Sequence, residues 1–240
     1  MLSVKGLTGG WGQTRVVEGV DLLLAEGETL AIIGRNGVGK TTLLELITGR
    51  ARRLAGEILL SGRDIASIPI HRRAHAGLGH VPQQREVFRS LTVDEHLVVG
   101  ARPGPWDRKR VFELFPSLAN RRASLGSQLS GGEQQMLAIA RALVGNPCVL
   151  LMDEPSEGLA PVVIDELIEA MKLLTRSKIL SILLVEQRVD LAQQLADRFV
   201  VMDRGQITHR GMICELEDQR RLAELVGLSA VDNGHVLNVA

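Results

Sequence analysis

The spacing of apolar residues changes along this chain, and the changes predict an alternation of strands and helices. Leu2, Val4 and Leu7 fall where a half-buried strand places its inward side chains. Residues 20–24 form a second apolar run, closed by the turn-forming pair Glu26-Gly27. Residues 29–33 are apolar without alternation, as in a strand covered on both faces. A glycine-rich loop follows, and 41–48 reads as a helix stopped at Gly49.

The middle of the chain reads differently. Residues 92–146 have helical character. Thr92 with Glu95, and Ser130 with Glu133, each match the reciprocal capping pattern that opens a helix. A breaker, Arg102-Pro103-Gly104-Pro105, lies between them. Met136, Leu137, Ile139, Ala140, Leu143 and Val144 share one helical face, and Gly145-Asn146-Pro147 ends that helix. Strand–helix alternation then returns. The pattern predicts a buried strand at 148–152, an amphipathic helix at 162–175 and a buried strand at 182–185. A helix at 188–197 and a strand at 199–202 follow. The expected architecture is an α/β core with a parallel sheet, interrupted by an all-helical insert.

Composition narrows the function. The 28 Lys and Arg balance the 28 Asp and Glu, so no basic excess supports nucleic-acid binding, and no nucleic acid is expected as partner. Cys148 and Cys214 are too few and too far apart for a disulfide framework or a zinc knuckle; Cys148 reads as a small buried hydrophobe. The start lacks the features of a signal peptide, and the longest strongly apolar stretch, 179–185, is far short of a membrane span. The expectation is a soluble, cytoplasmic chain.

Two motifs carry chemistry. Gly34-Arg35-Asn36-Gly37-Val38-Gly39-Lys40-Thr41 fits the phosphate-loop pattern in full and sits between a buried strand and a helix, with Thr42 next. Glycines let consecutive N–H groups wrap phosphate oxygens, and the helix start adds its positive dipole end. Lys40 supplies an ammonium to the outer phosphates of ATP, and the Thr41 hydroxyl can ligate Mg2+. Second, an apolar strand ends in Asp153-Glu154, where a parallel sheet binds its ligands. Asp153 suits the metal, and Glu154 can polarise the attacking water.

A third motif, Leu129-Ser130-Gly131-Gly132-Glu133-Gln134-Gln135, opens a helix and could hold an anion at its start. With it the sequence resembles the ATP-binding-cassette ATPases over almost its whole length, with the motifs in family order. The resemblance implies a P-loop NTPase (RecA-like) core with a parallel sheet, an N-terminal antiparallel β subdomain and an inserted α-helical subdomain. The chain would be one domain over 1–240. Residues 1–84 and 148–215 would form the nucleotide-binding core, 85–147 the helical signature subdomain and 216–240 a C-terminal tail.

The resemblance also implies an ATP sandwich between two cassettes, with Ser130, Gly131, Gly132 and Gln134 completing the partner's site. Trp11 matches the aromatic that stacks on adenine, with Val16 in the same pocket. Gln83, in His80-Val81-Pro82-Gln83-Gln84, matches the glutamine that touches the metal and joins core to insert. Two positions depart from the wider family. The loop after the acidic strand reads Ser156-Glu157-Gly158-Leu159-Ala160-Pro161 in place of an ending in Leu-Asp. Gln187, in Val185-Glu186-Gln187, stands where a histidine is usual. Both are similar to the ATPases of branched-chain amino-acid importers and their urea or short-amide relatives.

The implied function is ATP hydrolysis powering import of a small solute. Its partners would be a second cassette ATPase, two membrane permease subunits and an extracytoplasmic solute-binding protein. The chain would sit on the inner face of the plasma membrane. Glu86, Val87 and Phe88 would receive a short helix of the permease; Phe88 equally fits simple packing at a helix entry. Two other readings stay open: a cassette ATPase outside transport, and a nucleotide-binding regulator without turnover. Glu154 speaks against the latter.

Overall fold

The computed structural model describes residues 1–217. The predicted tail from 216 onward lies outside these residues except at its start, where a short 3-10 turn runs Ile213–Glu217.

Two sheets share the work. The first is antiparallel and contains β1 (Leu2–Trp11), β2 (Thr14–Leu24), β4 (Arg52–Leu60) and β5 (Arg63–Asp64), in the order β2-β1-β4-β5. The second contains β3 (Thr29–Ile33), β6 (Leu78–Val81), β7 (Val149–Asp153), β8 (Ser181–Glu186), β9 (Arg198–Asp203) and β10 (Gln206–Met212). Its order is β10-β9-β3-β8-β7-β6, parallel throughout except for the β9–β10 hairpin. Every residue of β3, β7 and β8 is buried, which explains their unbroken apolar runs.

The fold is the mixed α/β cassette expected from the sequence. Helix α1 (Lys40–Thr48) lies between the two sheets and is buried on all sides; only Thr41 is not buried. Its leucines pack with Leu7, Ile58 and Leu183 in one hydrophobic cluster. The C-terminal carbonyls of α1 find a buried cation: the Arg73 guanidinium donates to Leu46 O at 3.1 Å and Ile47 O at 2.7 Å. Arg73 comes from α2 (Ile70–His75), and its charge suits the negative end of α1.

The opposite face of the second sheet carries the helical segment and α7 (Pro161–Arg176). The sequence predicts helix broadly over 92–146, and the structure divides it. Helices α3 (Val93–Gly100), α4 (Arg108–Leu114), α5 (Pro116–Ala119) and α6 (Gly131–Leu143) are separated by irregular chain and one 3-10 turn, Gly126–Gln128. Proline and glycine at 103–105 force the first break, and Gly104 adopts φ 157 there. Both predicted capping boxes are present. Helix α6 shares a cluster with β7 and α7, through Leu137, Leu150 and Leu167. Helix α8 (Val189–Leu195) covers the far end of the sheet against Ala31 and Phe199. Cys148 departs from the reading: it precedes β7 rather than opening it and is half-buried, its thiol donating to Gly77 O.

Candidate nucleotide site

Register builds the site. Strand β8 lies between β3 and β7, with Ile33 level with Glu186 and Asp153 level with Val185. The loops after β3, β8, β7 and β6 therefore emerge side by side at the carboxyl edge of the sheet, where such sheets bind ligands. They carry the phosphate loop, Gln187, Glu154 (directly after Asp153, the last residue of β7) and Gln83 respectively.

The phosphate loop is held open from within. Lys40 Nζ donates to Gly34 O at 2.9 Å and Arg35 O at 3.0 Å, closing the loop around its own ammonium. Gly37 and Gly39 take φ 80 and 108, conformations that glycine adopts without strain. At Gly34 the constraint is space: a Cβ would stand 2.5 Å from Met202 O. Gly39 precedes α1 without a side-chain cap, and no acidic residue occupies the first turn of that helix. Its end is left free for an anion. The loop's back is fixed by Gly205 N–H donating to Val38 O at 2.8 Å. A cleft of about 270 Å³ opens in front, lined by Val16, phosphate-loop residues from 36 to 42, Gln83 and Glu154. Trp11 stands beside it, its indole N–H donating to the Thr42 hydroxyl at 3.4 Å while half its surface stays exposed.

The carboxylates are buried and differ in partners. Asp153 bonds Thr41 but leaves Oδ1 with no partner, and burial pushes its carboxyl up to about 6. That orphaned oxygen, on a carboxylate bonded to the Thr41 hydroxyl of the cleft wall, fits a hard cation such as Mg2+. Among the described residues no cluster of three or more His, Cys, Asp or Glu could hold a metal. A site here would therefore draw on hydroxyl, amide and phosphate oxygens as well as one carboxylate.

Glu154 N–H donates to Val185 O at 3.0 Å, which extends the ladder one residue past β7, and its φ is 46. Its side chain is shared: Oε1 stands 3.1 Å from Lys40 Nζ, and Oε2 accepts from Gln187 Nε2 at 2.5 Å. Glu186 is also buried, accepts from Ser156 N–H at 3.3 Å, and is raised by burial to about 7.

The signature residues lie apart from this cleft; none of Ser130, Gly131, Gly132 and Gln134 lines it. They start α6. Ser130 accepts from Glu133 N–H at 3.2 Å, and the Glu133 carboxylate accepts from Ser130 N–H at 2.7 Å. Gln134 donates to Gly126 O at 3.0 Å. Gly132 lies against Val163, where a Cβ would come within 2.4 Å.

Sequence reasoning missed several residues around the site. Gln83 donates to the Glu157 carboxylate. Arg85 donates to Gln135 Oε1 at 3.2 Å and to Glu157 O at 3.4 Å. Arg50 makes a two-pronged contact with Glu86, at 2.6 and 2.9 Å. Of these partners Glu157, Gln135 and Glu86 fall in stretches that the sequence singles out, whereas Arg50 and Arg85 carry no sequence signal.

Known proteins resemble this arrangement. The sequence profile of the ABC transporter family matches residues 17–157, more than half of the chain. The chain belongs to the ABC transporter family and is its ATP-binding, ATP-hydrolysing cassette. BraG of Pseudomonas aeruginosa, a high-affinity branched-chain amino acid transport ATP-binding protein, is 38% identical over 86% of this chain and 91% of its own. LivF of Archaeoglobus fulgidus, a probable branched-chain amino acid transport ATP-binding protein, is 34% identical over 94% and 98%. LptB of Haemophilus influenzae, from a lipopolysaccharide export system, is 33% identical over 88% and 90%. Among solved structures, an ATP-binding subunit of an ABC transporter superposes with a TM-score of 0.79 at 31% identity, over 95% of both chains. A dimeric cassette in a post-hydrolysis state, bound to ADP and Pi, gives 0.76 at 26%, over 89% of this chain and 99% of its own. No helix among the described residues is long and apolar enough to cross a membrane.

Proposed function

We propose that this chain hydrolyses ATP to power import of branched-chain amino acids through membrane permease subunits. The observation that carries the catalytic part is the contact of buried Lys40 and Glu154 with each other and with half-buried Gln187 at the phosphate cleft. Adenine stacks on Trp11 with Val16 beside it, and the phosphates lie along residues 34–42. Lys40 then exchanges its present acceptors for phosphate oxygens. Glu154, released from Lys40, accepts the proton of the attacking water as the bond to the ADP leaving group breaks. Gln187 can donate to the γ-phosphate where a histidine is usual, since an amide offers the same kind of donor. Thr41, Asp153 and Gln83 are the residues that would hold Mg2+, which neutralises phosphate charge when bound.

The signature residues Ser130, Gly131, Gly132 and Gln134 serve a second cassette, identical or related. In this reading they complete its ATP site from outside. Residues 1–84 and 148–215 act as the nucleotide-binding core and 85–147 as the signature subdomain. The groove lined by Glu86, Val87, Phe88 and Arg141 receives the permease. An extracytoplasmic solute-binding protein delivers the cargo, and the cassette sits on the cytoplasmic face of the membrane.

Likeness to BraG and LivF supports the choice of cargo. A second reading, lipopolysaccharide export, has the likeness to LptB behind it; urea or short-amide import follows from the subfamily motifs. The chain co-purified with its permeases and reconstituted in proteoliposomes separates these readings. ATP-dependent uptake of labelled leucine supports the proposal. Uptake of urea instead, or no uptake of any small solute, overturns it.

A further inference from the structure

Gln83 and Glu154 reach the phosphate cleft from different strands, and one side chain links their loops. The turn after β7 begins at Glu154, in a left-handed conformation, and closes with Glu157 N–H donating to Glu154 O at 3.0 Å. From that turn the Glu157 carboxylate accepts a hydrogen bond from the Gln83 amide nitrogen. A carboxylate only accepts, so this bond dictates which end of the amide faces it: the NH2 is taken and carbonyl Oε1 remains free. An unpaired glutamine would present either end.

The turn is itself braced. Arg85 donates to the Glu157 carbonyl and to Gln135, and both Arg85 and Glu86 hold left-handed φ values, 63 and 48. Such backbone is costly for residues with side chains and persists where the surroundings impose it.

We propose that Glu157 is a positioning residue: it orients Gln83 so that the carbonyl oxygen, the end able to ligate a cation, is presented to the metal–nucleotide complex in the cleft. The inference rests on the reading of Gln83 as a metal-contacting residue. Glu157 touches neither substrate nor metal; it acts through the amide.

The test uses the full chain with a non-hydrolysable ATP analogue and Mn2+ as the spectroscopic probe, its binding read by electron paramagnetic resonance. Glu157→Ala should weaken Mn2+ binding to the nucleotide complex about three- to tenfold, the worth of one hydrogen bond. Nucleotide affinity without metal should not change. Glu157→Gln, whose carbonyl still accepts from Gln83, should restore most of the loss. Gln83→Ala should weaken Mn2+ binding as much, with no further loss in the double variant. Unchanged or tighter Mn2+ binding in Glu157→Ala, with Gln83→Ala still weakened, overturns the positioning role and leaves Gln83 as a metal contact. Unchanged binding in Gln83→Ala overturns both.

Discussion

Two helices of this cassette open beside glycines, and they begin in opposite ways. Helix α1 follows Gly39 with no side-chain cap and no acidic residue in its first turn. Helix α6 follows Ser130 with both halves of a capping box made, Glu133 in its first turn, and Arg121 3.1 Å from that carboxylate. The first end leaves its N–H groups for a ligand. The second satisfies its own, so any anion it meets must compete with Glu133 or use what the cap leaves over. On the function proposed above, the contrast would let one chain carry two glycine motifs at helix starts and use only the first for its own nucleotide. It also places the electrostatic tension at one end. Asp153, Glu154 and Glu186 are buried near α1, and Lys40 is the cation paired with Glu154 there.

The largest expected effect removes the chemistry at the α1 end and leaves binding intact. Glu154→Gln should lower turnover about a hundred- to ten-thousandfold, the usual contribution of a positioned base. ATP affinity should hold or tighten, because Lys40 loses a charged competitor. Phosphate release and equilibrium nucleotide binding check the two halves; near-normal turnover would remove Glu154 from the mechanism. Lys40→Ala should cut ATP affinity on the order of a hundredfold by deleting the ammonium at the uncapped end, measured by calorimetry. If binding survived, α1 would not be the nucleotide end.

A pH experiment sharpens the electrostatic half of the contrast. Burial raises Glu186 from 4.5 to about 7, so the folded chain holds a proton that the unfolded chain releases. Its contribution is complete below pH 4.5 and is lost as pH rises through about 7. Glu186→Gln should flatten the decline of stability across that window, by roughly 3 kcal/mol, in denaturant melts at several pH values. At the α6 end, Ser130→Ala should cost about 1 kcal/mol of stability as a lost cap. It should also depress turnover of the paired cassettes while leaving ATP affinity of the single chain within about twofold, since Ser130 is outside its cleft. A loss of monomer affinity would contradict the division of labour. The smallest effect is expected of Gln187→His, where one donor replaces another and turnover should change less than about fivefold.

Much of the site was legible because phosphate chemistry acts locally. A loop that must present N–H groups, an ammonium and a hydroxyl within eight residues leaves a contiguous signature. Buried strands leave unbroken apolar runs, so β3, β7 and β8 could be read directly. Other features left no such trace. The outer residues of β4 are exposed and β10 has no buried residue, so neither carried a strong apolar period. Arg73 reads as one more basic residue until the fold lays it against the end of α1. Gln83 and Glu157 are 74 residues apart, and nothing local announces their bond.

The sequence alone determined the chemical groups and their order: phosphate loop, glutamine, signature, acidic pair and the Glu186-Gln187 dipeptide. Each needs only neighbouring residues to define it. The tertiary structure decided which of them meet. Parallel register sets the ends of β3, β8, β7 and β6 in one row and gathers Lys40, Glu154, Gln187 and Gln83. It also keeps Ser130 out of their cleft. Burial then raised the proton affinities of Asp153 and Glu186, because desolvation depends on surroundings that no local pattern encodes.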